Sequence, residues 1–225
     1  MPQKLSSEKQ IRVLIADDHA IFREGLGFIL EANEDITVVG QAADGRQAIR
    51  EAKRTRPDVV ILDIAMPELN GIEAARKILE EGAAPGVIIL SMHCSSEHIF
   101  QALEAGAKGF VVKGAAGKEL IQAVRAVYAG GRFLSQQVDD ILVDDYLFRR
   151  KNPQPKSPLE SLSPREREIL QLVVEGKTNA VVAGILYISP KTVETYRSRL
   201  MQKLGIKDIA NLVKFALEHG LTSFK

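Results

Sequence analysis

Tryptophan is absent, cysteine occurs once, and aromatic residues make up only 5% of the 225-residue chain. The lone Cys94 can form neither an internal disulfide nor a zinc cluster, so an apolar core has to hold the fold together. Four histidines, His19, His93, His98 and His219, are scattered without the spacing of metal ligands. No apolar run approaches the roughly 18 residues that a membrane-spanning helix needs. The first ten residues are polar and lack the apolar core of a signal peptide, so a cytoplasmic protein with no membrane partner is expected.

Net charge is also nearly absent, at +1, but this total hides a division along the chain. Residues 1–148 carry 16 Lys+Arg against 22 Asp+Glu, whereas residues 149–225 carry 14 against 7. An acidic first part and a basic second part point to an anionic partner for the latter, with nucleic acid as the commonest candidate and a solvated charged face as the simpler alternative. With 45% hydrophobic and 26% charged residues the composition is that of an ordinary globular protein, and the length allows one or two domains.

What is present is a regular alternation. Apolar, β-branched runs at 11–16, 36–41, 58–62, 87–90 and 109–112 read as strands, and helical spacing follows each, at 20–34, 45–54, 71–80, 96–105 and 117–129. Right-handed crossovers turn this pattern into an α/β doubly wound, five-stranded parallel sheet over residues 10–131, covered by helices on both faces. All carboxyl ends of a parallel sheet share one edge. The first strand ends on Asp17-Asp18, the third on Asp63, the fourth on Ser91, and the fifth runs into Lys113. Taken alone, Asp63 is better read as an acid capping a turn, but its companions change that reading. Three clustered carboxylates repel one another unless a hard divalent cation sits among them, and Mg²⁺ suits a site with few direct carboxylates and added water or phosphate. With the metal and Lys113 neutralising phosphoryl oxygens and the Ser91 hydroxyl donating a hydrogen bond, Asp63 is left as a nucleophile able to form an aspartyl phosphate.

Asp17-Asp18, Asp63, Ser91, Phe110 and Lys113 together resemble the receiver (flavodoxin-like) domain of two-component response regulators, over residues 10–130. The resemblance implies that Asp18 is a direct Mg²⁺ ligand, that Asp17 acts through water, and that Asp63 is both ligand and phosphoacceptor. The Ala65 backbone carbonyl would complete the protein ligands, and a sensor histidine kinase would be the phosphoryl donor. Ser91 and Phe110 would form a switch, with a plain core aromatic as the second reading of Phe110. Two departures stand out: Lys113 is followed by Gly114 where many receivers have proline, and Ala65 supplies no second acid after Asp63. An aspartyl-nucleophile phosphatase needs that acid, so the chain is not expected to be a turnover enzyme.

A connector occupies residues 132–158. Residues 133–148 suit an amphipathic linker helix, and three prolines within 152–158 suit a stiff extended tether that marks the domain boundary. From 159 to 225 an all-α, four-helix arrangement is expected. Ser163-Pro164 with Glu166 opens the first helix, Thr178 or Asn179 caps the second, Ser189-Pro190 opens the third, which ends at Gly205, and the fourth runs over 208–218. A three-residue turn between the second and third makes a helix-turn-helix candidate. The outer face of the third helix holds Lys191, Thr192, Glu194, Thr195, Arg197, Ser198 and Arg199, with Lys203 and Lys207 beyond. Basic ends and a polar middle suit a helix lying in the major groove of DNA.

Leu162-Ser163-Pro164-Arg165-Glu166, Gly176-Lys177-Thr178-Asn179, Ile188-Ser189-Pro190-Lys191-Thr192-Val193-Glu194 and Lys203-Leu204-Gly205 closely resemble the LuxR-type DNA-binding domain of the NarL/FixJ response regulators, over residues 160–222. That resemblance implies base-facing roles for Glu194, Thr195 and Ser198, and phosphate contacts from Lys191, Thr192, Arg197, Arg199 and Lys203. Ala180-Val181-Val182-Ala183 departs from the family, whose members usually carry Lys-Glu-Ile-Ala there; it reads as extra core, a contact for the first domain or a weakened DNA surface. The helix around Asn211 to Leu217 matches the family's dimerising helix, and equally could finish the core. The expectation is a phosphorylation-activated, DNA-binding transcription regulator, homodimeric on a two-half-site operator when phosphorylated. In its resting state the receiver would hide the third or fourth helix. A constitutive DNA-binding protein with a receiver-like contact domain is the second reading.

Overall fold

A computed structural model of the chain describes residues 10–92, 95–151, 157–219 and 221. The first unit alternates β1 (Ile11–Ala16), α1 (Ala20–Glu31), β2 (Ile36–Ala42), α2 (Gly45–Thr55), β3 (Val59–Asp63), α3 (Gly71–Glu80), β4 (Gly86–Ser91), α4 (Ser96–Glu104), β5 (Gly109–Val112) and α5 (Ala116–Tyr128). It continues into a short β6 (Phe133–Leu134) and the long α6 (Gln136–Lys151). After a single 3₁₀ turn at Pro158–Ser161, the second unit consists of α7 (Pro164–Val174), α8 (Asn179–Leu186), α9 (Pro190–Leu204) and α10 (Ile209–Glu218).

The sheet is parallel throughout, in the order β2-β1-β3-β4-β5-β6. β3 lies centrally and every one of its residues is buried, which explains its unbroken apolar run. Alternate side chains serve two cores. Leu14, Val60, Leu62, Ile89 and Phe110 face one layer, and Val13, Ile15, Ile61, Leu90 and Val111 face the other. A third cluster around Leu170, Val182, Val193, Leu200 and Leu212 holds the second unit.

The expected five strands are six. Phe133 pairs with Gly109 and Leu134 with Phe110, so the sheet runs past residue 131 and the linker helix starts at Gln136. Two apolar residues carry no period of their own, and only the exposed edge of β5 makes them a strand. In α1 the expected apolar face is narrower than its spacing suggested: Leu26 and Leu30 are buried, but Ile21 is 89% exposed. The extended tether falls mostly on residues 152–156, outside the described residues.

The second unit folds as its punctuation dictates. Ser163 and Glu166 close a reciprocal capping box on α7, Thr178 rather than Asn179 caps α8, and Ser189 caps α9. Residues 187–189 make the three-residue turn, entered through Tyr187 in the left-handed conformation at φ 54°. Gly205, at φ 67°, ends α9.

One glycine decides how closely α3 approaches the tip of β3. A Cβ on Gly71 would lie 2.0 Å from the backbone oxygen of Asp63, so only glycine lets the helix begin directly against that strand end. Gly71→Ala is therefore expected to destabilise the first unit by about 3 kcal/mol or more, because backbone rather than a mobile side chain has to yield. Urea unfolding followed by circular dichroism measures this, and an unchanged midpoint would refute the close approach.

Candidate functional site

The parallel register delivers the expected residues to one edge. Asp17 follows β1, Asp63 and Ser91 are the last residues of β3 and β4, Lys113 follows β5, and all four are buried. The Lys113 ammonium stands 2.7 Å from Asp17 Oδ2 and 3.1 Å from Asp63 Oδ2, bridging the two acids. It also lies 4.8 Å above the ring of Phe22. Asp17 is itself fixed: its Oδ1 accepts from the His19 backbone N–H at 2.9 Å, and its carbonyl accepts from Arg23 at 2.6 Å.

Asp17, Asp18, His19 and Asp63 each offer one ligand atom, and these atoms all lie within 4.8 Å of one another. Against the sequence expectation, one histidine does join the cluster. The His19 ring nitrogen is 2.9 Å from Asp18 and 3.3 Å from Asp17, at an exposed rim. Its adjacency to the acid pair was the available signal. The donor set fits Mg²⁺: the carboxylate oxygens are hard, and one ammonium is set against three acids, leaving an excess that a divalent cation offsets. Asp17 Oδ2 is buried without a hydrogen bond, Lys113 being close to it but out of line. Burial pushes the Asp63 carboxyl up to about 6, with Asp17 and Asp18 adding to the rise and Lys113 opposing it.

Ala65 lies two residues beyond Asp63, in the loop before α3. Ser91 pairs with Val112 and Ile89 with Phe110, so all four point to the same side of the sheet. Phe110 is fully buried in the core, and the structure shows it already inside, not in an outward position.

On the second unit, α9 presents Lys191, Glu194, Thr195, Ser198 and Arg199 to solvent, while Val193 and Leu200 face the core. Arg197 donates to Asn179 of α8 at 2.9 Å. The Lys203 ammonium donates to Glu166 at 2.7 Å and to the Ser161 carbonyl at 3.1 Å, tying α9 to the start of α7 while its side chain stays 43% exposed. Among Ala180, Val181 and Val182, only Val182 is buried as core; Val181 is 48% exposed. Leu212 and Ala216 of α10 complete the core, and Ile209 is exposed.

The two units meet through α7 and the loop that follows Asp63. Gln171 accepts from the Asn70 backbone N–H at 2.8 Å and donates to the Met66 carbonyl at 2.8 Å, wholly buried. Glu175 accepts from the Glu68 N–H at 3.0 Å. Beside them, Glu168 takes Arg46 at 2.6 Å and Lys77 at 2.9 Å, and Arg167 reaches Glu73 at 2.6 Å. Burial works to raise the Glu168 carboxyl, but Lys77, Arg165 and Arg46 outweigh it and hold the group below its usual range. At the far end, His219 pairs with Glu97 at 2.9 Å and its carbonyl meets the His98 ring at 2.8 Å. The covered helices are thus α7 and the end of α10. Of the third or fourth helix expected to be hidden, the end of the fourth is covered, whereas the outer face of α9 stays open. Sequence reasoning missed the contact because Glu168, Gln171 and Glu175, spaced as one polar helical stripe, look like a solvated face.

The comparisons with known proteins agree with this geometry. Residues 13–125 match the response regulator receiver domain, and residues 160–216 match the bacterial regulatory proteins of the luxR family. The oxygen regulatory protein NreC of Staphylococcus epidermidis is 38% identical, covering 95% of this chain and 100% of that protein. The crystal structure of the response regulator ChrA of a heme-sensing two-component system is 35% identical, with a TM-score of 0.52 over 94% of this chain and 98% of that one. A complex of the two-component response regulator RcsB with DNA is 27% identical, with a TM-score of 0.56 over 92% of this chain and 98% of that one.

Removing the Gln171 side chain leaves a buried carbonyl and a buried N–H without partners, a cost of about 1–3 kcal/mol falling on the docked arrangement. Gln171→Ala is expected to separate the melting of the two units by calorimetry while each keeps its helical signal. A single unshifted transition would show that this grip does not hold them together.

Proposed function

The chain belongs to the response regulators of two-component systems that join a receiver domain to a LuxR-type DNA-binding domain, a family of transcription factors rather than enzymes, and on that premise we propose that Asp63 is its phosphoacceptor. The observation that carries this is the buried Asp63 carboxylate held 3.1 Å from Lys113 beside Asp17 and Asp18. A carboxylate oxygen of Asp63 attacks phosphorus of a phosphohistidine on the sensor kinase, the P–N bond breaks, and the imidazole leaves with that electron pair. Asp17, Asp18, Asp63 and the Ala65 carbonyl would hold Mg²⁺, which when bound supplies charge neutralisation for the incoming phosphoryl group. Lys113 offsets a further oxygen, and the Ser91 hydroxyl donates to another. Phe110 packs beside Ser91's strand and would respond to that hydroxyl from within the core.

Phosphorylation acts on the docking through a short path. The loop held by Gln171 and Glu175 starts immediately after Asp63, so a shift of that strand end on phosphorylation would be passed to the arrangement that α7 grips. Release frees the second unit to be placed on DNA, by shifting an existing equilibrium rather than creating a new state. The reading face of α9 is available throughout. Docking therefore limits where α9 can be carried, and a phosphorylated homodimer would set two such helices on two half-sites. Glu194, Thr195 and Ser198 would face bases; Lys191, Thr192, Arg197 and Arg199 would face phosphates. Lys203 would join them by exchanging its bond to Glu166 for a phosphate. No helix among the described residues is long and apolar enough to cross a membrane, and with DNA and a kinase as partners the protein would act in the cytoplasm.

Incubation with acetyl phosphate and Mg²⁺ is expected to add one phosphoryl mass to the wild type and to tighten operator binding. Asp63→Asn should show neither change. Gain of mass and affinity by that variant equal to the wild type would remove Asp63 from its role.

A further inference from the structure

The first turn of α4 reaches three segments that lie far along the chain. Ser96 donates to Asp145 of the linker helix α6 at 2.9 Å. One oxygen of Glu97 accepts from the hydroxyl of Ser157, at the entry to the second unit, and the other accepts from the His219 ring at 2.9 Å. His98 closes the set, its ring Nε2 lying 2.8 Å from the His219 carbonyl. A carbonyl oxygen can only accept, so His98 carries its proton on Nε2, and the Glu97 carboxylate likewise requires His219 to donate from Nδ1. Successive side chains of one helix turn thus hold the connector, the start of the second unit and the end of its last helix.

Formation of α4 needs none of these contacts. Ser95 already caps the helix, its hydroxyl accepting from the His98 backbone N–H. An acid in the first turn suits the helix dipole, but it would do so equally well from solvent. Instead the Glu97 side chain is 23% exposed and that of His219 20%. Burial works to raise the Glu97 carboxyl, but His219 and Ser157 outweigh it and hold the group below its usual range. These bonds share no residue with the grip of Gln171 and Glu175 on the loop after Asp63. They also lie close to the phosphoryl site by another route: β4 ends at Ser91, and only residues 92–95 separate it from the turn that makes them.

We propose that the first turn of α4 is an autoinhibitory clamp, a second hold on the DNA-binding unit that is centred on Glu97 and His219 and released through Ser91. When the Ser91 hydroxyl turns toward a phosphoryl group, the start of α4 moves with it, and α6, Ser157 and the end of α10 lose their partners together. The release rests on the phosphoacceptor reading given under Proposed function, whereas the hold does not. Because the clamp and the α7 grip close the same docked arrangement, weakening either one raises the population in which both are open.

Hydrogen exchange of the Glu68 amide in the full chain, at one pH, tests the clamp, because that N–H donates to Glu175 of α7 and exchanges when the units part. In the unphosphorylated protein Glu97→Lys removes the acceptor and His219→Glu sets two carboxylates against each other; each is expected to speed exchange at Glu68 about fivefold. The two combined restore an opposite-charge pair and should return the rate to within about twofold of the wild type. Ser96→Ala, which removes only the bond to α6, is the mildest variant and should speed exchange about twofold. Far-ultraviolet circular dichroism is expected to be unchanged in all of them. Single variants that exchange like the wild type at Glu68, with only the His219 amide freed, would reduce the contact to local packing and overturn the clamp. A combined variant no slower than the single ones would overturn it as well. With Asp63 fully phosphorylated, the substitutions are expected to add nothing to the wild-type rate, and a full effect persisting there would overturn release through Ser91. A wild-type rate that phosphorylation leaves unchanged would overturn the release by phosphorylation, while the charge-swap pattern in the unphosphorylated protein would still support the hold.

Discussion

Crowded negative charge at one sheet edge is the constraint on which this structure depends. Parallel strands bring their carboxyl ends together regardless of what those ends carry, and here they carry Asp17, Asp18 and Asp63 around a single Lys113. Burial makes that arrangement costly, as the raised Asp63 carboxyl shows. The site is therefore under tension that a divalent cation would relieve and that a phosphoryl group, by adding negative charge, would increase. A buried acid at a strand tip is responsive because the fold has not provided it with full neutralisation.

The response has somewhere to go because the loop after Asp63 is shared. Its Met66 carbonyl and its Glu68 and Asn70 N–H groups are bonded by Gln171 and Glu175 of α7. Gly71 then brings α3 back against the Asp63 carbonyl. The chemistry and the domain contact thus use opposite ends of one short segment. The part-buried ion pairs of Glu168 with Arg46 and Lys77, and of Arg167 with Glu73, add orientation to that contact. Undocking strips the buried Glu168 and Glu73 carboxylates of these cations, which favours one docked arrangement over others.

Features with a local physical cause were legible in the sequence. Asp63, Asp17 and Lys113 could be placed because strand ends follow from apolar runs, and the capping box of Ser163 and Glu166 is a local pattern that tertiary structure did not override. Features set by distant partners were not. Phe133 and Leu134 form a strand only because β5 offers an edge. The bond from the Lys203 ammonium to Glu166, 37 residues away, has no local signal in the sequence. Gln171 carried no sign of its role, since a buried amide bonding a distant backbone has the same spacing as a solvated one. His19 shows an intermediate case, its neighbours pointing to the cluster while its exposure leaves it at the rim.

On the function proposed above, phosphorylation at Asp63 loosens the hold of α7 on the loop that follows it. The amides of Glu68 and Asn70 report this directly, because each donates to an α7 side chain in the docked state. Hydrogen exchange of these two amides, followed by nuclear magnetic resonance before and after full phosphorylation with acetyl phosphate, is the most direct measurement. Both are expected to exchange at least tenfold faster in the phosphorylated protein, in step with each other. Protection unchanged at both amides while Asp63 is fully phosphorylated would contradict it.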